Sequence, residues 1–133
     1  MSARSFLRLG APAAATLGVV GAVATPAAAD YNYGKVLDGG NYIGTVYWNR
    51  DPWNSTPGDS MQMCDTYKDG FGLEARLIVN GAVDRVATTA GHNSPYCSPW
   101  KSGDLPEGHW YTVKAYKVKG GVYTYLDDYL FMS

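Results

Sequence analysis

The fold the sequence predicts is all-β: an antiparallel β-sandwich of six to seven strands, with a small barrel as the alternative way to close the same strands. Three observations predict it. Beyond residue 29, apolar side chains recur with a period of two, and no stretch carries the 3.6-residue period of a helix. Asp-Gly, Asn-Gly and Gly-Gly pairs punctuate these runs at short intervals, as turns between strands do. Two cysteines, Cys64 and Cys97, are placed to staple one strand to a long loop. An immunoglobulin-like topology is compatible with this strand count.

The N-terminal residues are expected to lie outside that domain. Arg4 and Arg8 precede an uncharged run, Leu9–Ala24, built from Ala, Gly, Val and Leu. Thr25-Pro26-Ala27-Ala28-Ala29 then offers small residues where a signal peptidase reads. Residues 1–29 therefore read as a signal peptide, bacterial in its Ala-rich style, cleaved after Ala29. The run is shorter than the ~20 apolar residues of a membrane span, and no cysteine follows the cleavage site to carry a lipid. The expected product is a secreted, extracellular monomer with no membrane attachment once the leader is removed.

Loss of Arg4 and Arg8 turns the formal net charge of −1 into −3. A mildly acidic domain with no basic run attracts neither nucleic acid nor an anionic membrane.

In chain order, residues 30–40, DYNYGKVLDGG, are rich in Gly, Asp and Asn and are expected to be loose, leaving residues 41–133 as the sandwich. Asn41–Trp48 alternates into a first strand, with Ile43, Thr45 and Tyr47 on one side and Tyr42, Val46 and Trp48 on the other. Asn49–Gly58 has two prolines and reads as a loop. Asp59–Tyr67 and Phe71–Val79 read as a hairpin turned at Lys68-Asp69-Gly70, with Met61 and Met63 sharing a face. In the second of these strands Leu73, Ala75, Leu77 and Val79 alternate with Glu74 and Arg76, the pattern of a sheet with one wet face. Asn80-Gly81 turns that strand into Ala82–Thr89. Gly91–Gly108 is a loop too long to stand without support. His109–Lys119 and Val122–Phe131, turned at Gly120-Gly121, close the domain.

In an exported chain the two cysteines are expected to form one disulfide, which would hold the long loop down. Loop-closure entropy assigns that link about 3.8 kcal/mol, a large share of the stability of so small a domain.

The segment from Gly58 to Arg76, with its Gly-Asp start, Cys64-Asp65 and Asp69-Gly70-Phe71-Gly72, stands with the Ala-rich leader and the Ser94–Trp100 loop. In these features the chain resembles small secreted single-disulfide proteins of actinomycetes, a likeness that implies export and a β-sandwich. A looser likeness is to secreted β-sheet amylase inhibitors, which present a Trp-Arg-Tyr set on a hairpin. Here Tyr47, Trp48 and Arg50 stand close together, interrupted by Asn49, and the four-cysteine framework is missing.

Catalytic chemistry finds little to build on. The histidines, His92 and His109, lie at loop edges; His92, Ser94 and Asp104 can be drawn as a triad only arbitrarily, without a nucleophile elbow or a metal motif. Asp127 and Asp128 are adjacent, so on a strand they point to opposite faces. Asp59, Asp65 and Asp69 lack the spacing of a calcium loop and read as turn residues, so no metal or cofactor is expected. The expected protein is not an enzyme, a small extracellular enzyme being the second alternative.

The aromatic content is the informative excess: four Trp, eleven Tyr and three Phe. Trp53 and Trp100 each follow a proline in a loop, which lowers the entropy lost when a ring is presented to a partner. With Trp48, Arg50 and Tyr96 they form the candidate contact surface for an extracellular polysaccharide or a secreted protein. The competing role for the loop tryptophans is to cap the ends of the sandwich. The alternative function is inhibition of a secreted hydrolase, an amylase or a protease, through the Trp48–Trp53 loop. Tyr123, Tyr125 and Tyr129 form a second stripe, either core or platform.

Overall fold

A computed structural model describes residues 31–133; the expected leader and cleavage site lie outside the described residues. The described residues form eight strands in two four-stranded antiparallel sheets. The first sheet runs in the order β1 (Tyr31–Asp38), β2 (Asn41–Asn49), β3 (Ser60–Asp65), β6 (Tyr96–Cys97). The second runs β5 (Ala82–Thr88), β4 (Gly72–Val79), β7 (Trp110–Lys119), β8 (Val122–Met132). The predicted sandwich is thus present, with two more strands than the lower expectation. An immunoglobulin domain would put strands one, two, four and five in one sheet; here β4 and β5 have left the sheet of β1 and β2.

Two expectations need correction. Residues 30–40 are not loose: Tyr31–Asp38 pairs along β2, with Gly34 and Val36 buried between exposed Tyr33, Lys35 and Leu37. The alternation is present but muted, because one of its inward positions is a glycine. Nor do β3 and β4 form a hairpin. They belong to different sheets, and Thr66–Phe71 carries the chain across. The carboxylates of Asp65 and Asp69 accept the N–H groups of Tyr67 (3.1 Å) and Phe71 (2.9 Å), so both acids shape the crossover rather than a tight turn.

The core lies between the sheets. Trp48 is fully buried, stacks on Phe131 at 5.8 Å, and donates its indole N–H to the Met132 carbonyl at 2.9 Å. Val46, Met61 and Met63 join it from the first sheet, and Leu73, Leu77 and Val113 from the second. Ala87, Ala75 and Ala115 stand opposite one another across β5, β4 and β7. This row of small side chains leaves depth for the large residues of the facing sheet.

Two bulges decide which side chains face out. In β2, pairing with β1 steps from Gly44 to Tyr42 and leaves Ile43 over, so Ile43 turns inward and Tyr42 is exposed. In β8, pairing with β7 steps from Asp127 to Tyr125 and leaves Leu126 over. The tyrosine stripe is therefore split. Tyr123 and Tyr125 lie outside, while Tyr129 packs against the core beside Phe131 and donates its hydroxyl to the Lys35 carbonyl at 2.8 Å.

The expected disulfide joins Cys64 and Cys97, which stand directly opposite on β3 and β6 with Cα atoms 4.0 Å apart. It secures the long loop at one point among several. Ser98 exchanges hydrogen bonds with Met63, Lys101 pairs with Met61, and Leu105 enters the core with its N–H on the Asp59 carboxylate at 3.0 Å.

Candidate functional site

The five residues singled out by sequence do not form one site. Trp48 cannot contact a ligand: it is in the core, a correction that follows from its alternation with Val46 on the inward side of β2. Trp53 is exposed at the base of a two-residue turn, where its N–H and C=O exchange 2.9 Å bonds with Thr56. Arg50 is half-buried in a groove shared with Asp51, Asp59, Asp104 and Glu107. Trp100 is half-buried next to Lys101, at the start of β3. Tyr96 pairs with Asp65 at the far end of β3, ~13 Å from Met61 for four strand residues, and its ring stacks on His92 at 3.8 Å. Asp104 lies in the groove with Arg50, apart from His92, and Ser94 donates its hydroxyl to the Asp65 carbonyl.

A different set of side chains is brought together on the outer face of the second sheet. Val113 and Ala115 point inward from β7, so Trp110, Thr112, Lys114 and Tyr116 point outward. The bulge at Leu126 puts Tyr125 beside Tyr116, Tyr123 beside Val118 and Asp128 beside Lys114. Past the bulge, Leu130 stands opposite Thr112. Trp110 and Leu130 are 64% and 65% exposed, Tyr125 52%.

The rings and charges on this face interlock. Tyr116 meets Tyr125 at 5.9 Å and Tyr123 at 6.4 Å, both edge-on. The Arg76 guanidinium from β4 sits 4.5 Å from the centroids of both Tyr116 and Tyr123, and its Nε is 2.6 Å from Glu74. Lys114 bonds both oxygens of Asp128, at 3.2 and 3.3 Å, with its ammonium 5.6 Å from the Tyr125 ring. The hydrogen bond to Glu74 pushes Arg76 further toward its charged form, and that to Asp128 does the same for Lys114. Desolvation, then the neighbouring Asp128, raises the Tyr125 phenol. The face thus carries three clustered tyrosines, a solvent-exposed tryptophan, and two cations each held by a carboxylate.

At one end of this face a cleft of about 860 Å³ opens beside Tyr123. Phe71, Val118 and Tyr123 supply its apolar lining; Lys68, His92 and Lys119 its basic groups.

Sequence reasoning missed Trp110, Lys114, Tyr116 and Arg76 as a group. The alternation of Trp110, Thr112, Lys114 and Tyr116 was the available signal. What assembles them is pairing of β7 with β4 and a bulge in β8, and neither is written in local sequence. No match was found among protein families, curated proteins or solved structures. Among the described residues, no helix is long and apolar enough to cross a membrane.

Proposed function

We propose that this protein is a secreted, non-catalytic binding module that holds an extracellular polysaccharide against the outer face of its second sheet. The observation that carries the reading is the clustering of Tyr116, Tyr123 and Tyr125 with Arg76 and Lys114 on the outer face of one sheet. A pyranose ring has an apolar C–H face that packs on aromatic rings, and hydroxyls that need directional partners. Arg76 and Lys114 are already fixed by Glu74 and Asp128, so they can meet hydroxyls with little further loss of side-chain freedom. The expected leader and the cross-strand disulfide support an extracellular setting.

The test is retention on insoluble cell-wall and plant polysaccharides, followed by tryptophan fluorescence. Wild type is retained; Tyr125→Ala and Tyr116→Ala weaken retention at least tenfold while the chain stays folded. Retention of both variants equal to wild type defeats the proposal.

A second reading has its own observation. Trp53 is 52% exposed on a turn locked by two backbone hydrogen bonds, a rigid presentation that suits the inhibitor of a secreted hydrolase. Assays against amylases and serine proteases decide it: micromolar inhibition abolished by Trp53→Ala supports it, and no inhibition ends it.

A further inference from the structure

The cleft beside Tyr123 differs in charge from the face it adjoins. On the face, each cation has a carboxylate: Arg76 has Glu74, and Lys114 has Asp128. The lysines that line the cleft, Lys68 and Lys119, are not held in this way. Lys117 approaches the Phe71 ring at 5.1 Å but bonds Asp38 at 2.6 Å. Lys119 approaches the same ring at 5.1 Å, and among the described residues neither it nor Lys68 forms an ion pair. The nearby Asp69 turns one carboxylate oxygen back to the Phe71 N–H. His92, exposed on the rim, adds a third basic group. The basic cleft is therefore a local exception in an acidic chain.

We infer that this cleft takes the carboxylate-bearing unit of an acidic polysaccharide, a uronate, with its sugar face toward Phe71 and Tyr123 and its carboxylate near Lys68 and Lys119. The inference rests on the polysaccharide reading above and narrows it. The aromatic lining asks for a ligand with an apolar face, which inorganic phosphate lacks; the ammonium groups ask for an anion. Tyr123 belongs both to the face and to the cleft, so one glycan chain can span the two. The glycines around the cleft admit a close approach: Gly70, Gly91, Gly120 and Gly121 carry no side chain, and a Cβ at Gly91, Gly120 or Gly121 would meet nothing within 4 Å.

The experiment is an amide-shift titration of the folded, disulfide-bonded chain with oligogalacturonate and with its methyl ester, which keeps the sugar and removes the charge. The acid is expected to shift the amides of Gly70, Gly72, Gly91 and Gly120 and to bind at least tenfold tighter than the ester. Lys68→Gln and Lys119→Gln, both on exposed side chains, are expected to erase that preference without changing the melting temperature. Equal binding of acid and ester, or acid shifts that avoid these glycines, overturns the inference. Loss of retention on neutral polysaccharide in Tyr125→Ala is a separate outcome: it upholds the platform even where the cleft shows no preference for charge. Acid-selective shifts with Tyr125→Ala unaltered uphold the cleft and overturn the platform.

Discussion

Gly34 is the position where one methyl group tests the packing of the sandwich. A Cβ built there would lie 2.1, 2.4 and 2.9 Å from three atoms of the Tyr129 ring, so the ring has to move. Tyr129 is not free to do so without loss. It packs against Phe131 and donates its hydroxyl to Lys35, which joins the edge of the second sheet to β1. Overpacking costs ~1–3 kcal/mol and the lost hydrogen bond about 1, while alanine regains ~0.5–1 over glycine in a strand. Gly34→Ala should therefore destabilise by about 1–3 kcal/mol, or roughly 5–25 °C in melting temperature for a domain of this size. Urea unfolding of Gly34→Ala, Tyr129→Ala and the double variant forms a cycle. With the ring gone the methyl has room, so the double variant should be at least ~1 kcal/mol more stable than the sum of the single losses predicts. A Gly34→Ala protein within ~0.5 kcal/mol of wild type, or strict additivity, would refute the contact and with it the placement of β1 against β8.

Two further outcomes follow from the same packing. Reduction of Cys64–Cys97 should lower the melting temperature by roughly 15–30 °C, since about 3.8 kcal/mol of loop closure is lost; melting unchanged by reductant would contradict a structural role for the link. The Tyr129 phenol is pushed up to about 12, first by burial and then by the charge of Asp127. An unfolded tyrosine gives up its proton near pH 10 while the folded one keeps it, so stability should fall as pH rises between about 10 and 12 and level beyond. Comparing urea midpoints of wild type and Tyr129→Phe across that range isolates the effect, and parallel curves would count against the burial of Tyr129.

Much of the fold was legible because the β period is local. Leu73, Ala75 and Leu77 declare an inward face by alternation alone, Asn80-Gly81 declares a turn, and both lead to the strands observed. The backbone confirms the turn chemistry, with φ at +51° for Asn80 and +77° for Gly81. Partner choice is not local. Asp69-Gly70 reads like a hairpin turn, yet β3 pairs with β2 and β6, and β4 with β5 and β7. Bulges are equally hidden: Ile43 and Leu126 look like ordinary alternating residues, and each reverses the sidedness of everything on one side of it. The tyrosine face of the second sheet was hidden for the same reason. Proline-flanked tryptophans stand out in a sequence, whereas Arg76, Lys114, Tyr116 and Tyr125 come from three strands and gain meaning only when paired.

Where the ligand touches is the point on which the functional account turns. Backbone amide shifts, recorded with and without a polysaccharide that retains the protein, locate that contact. The account predicts changes concentrated at Trp110–Val118 and Tyr123–Leu130, with the Pro52–Pro57 and Pro99–Lys101 loops silent. Changes confined to those two loops, with the tyrosine face unmoved, would contradict it.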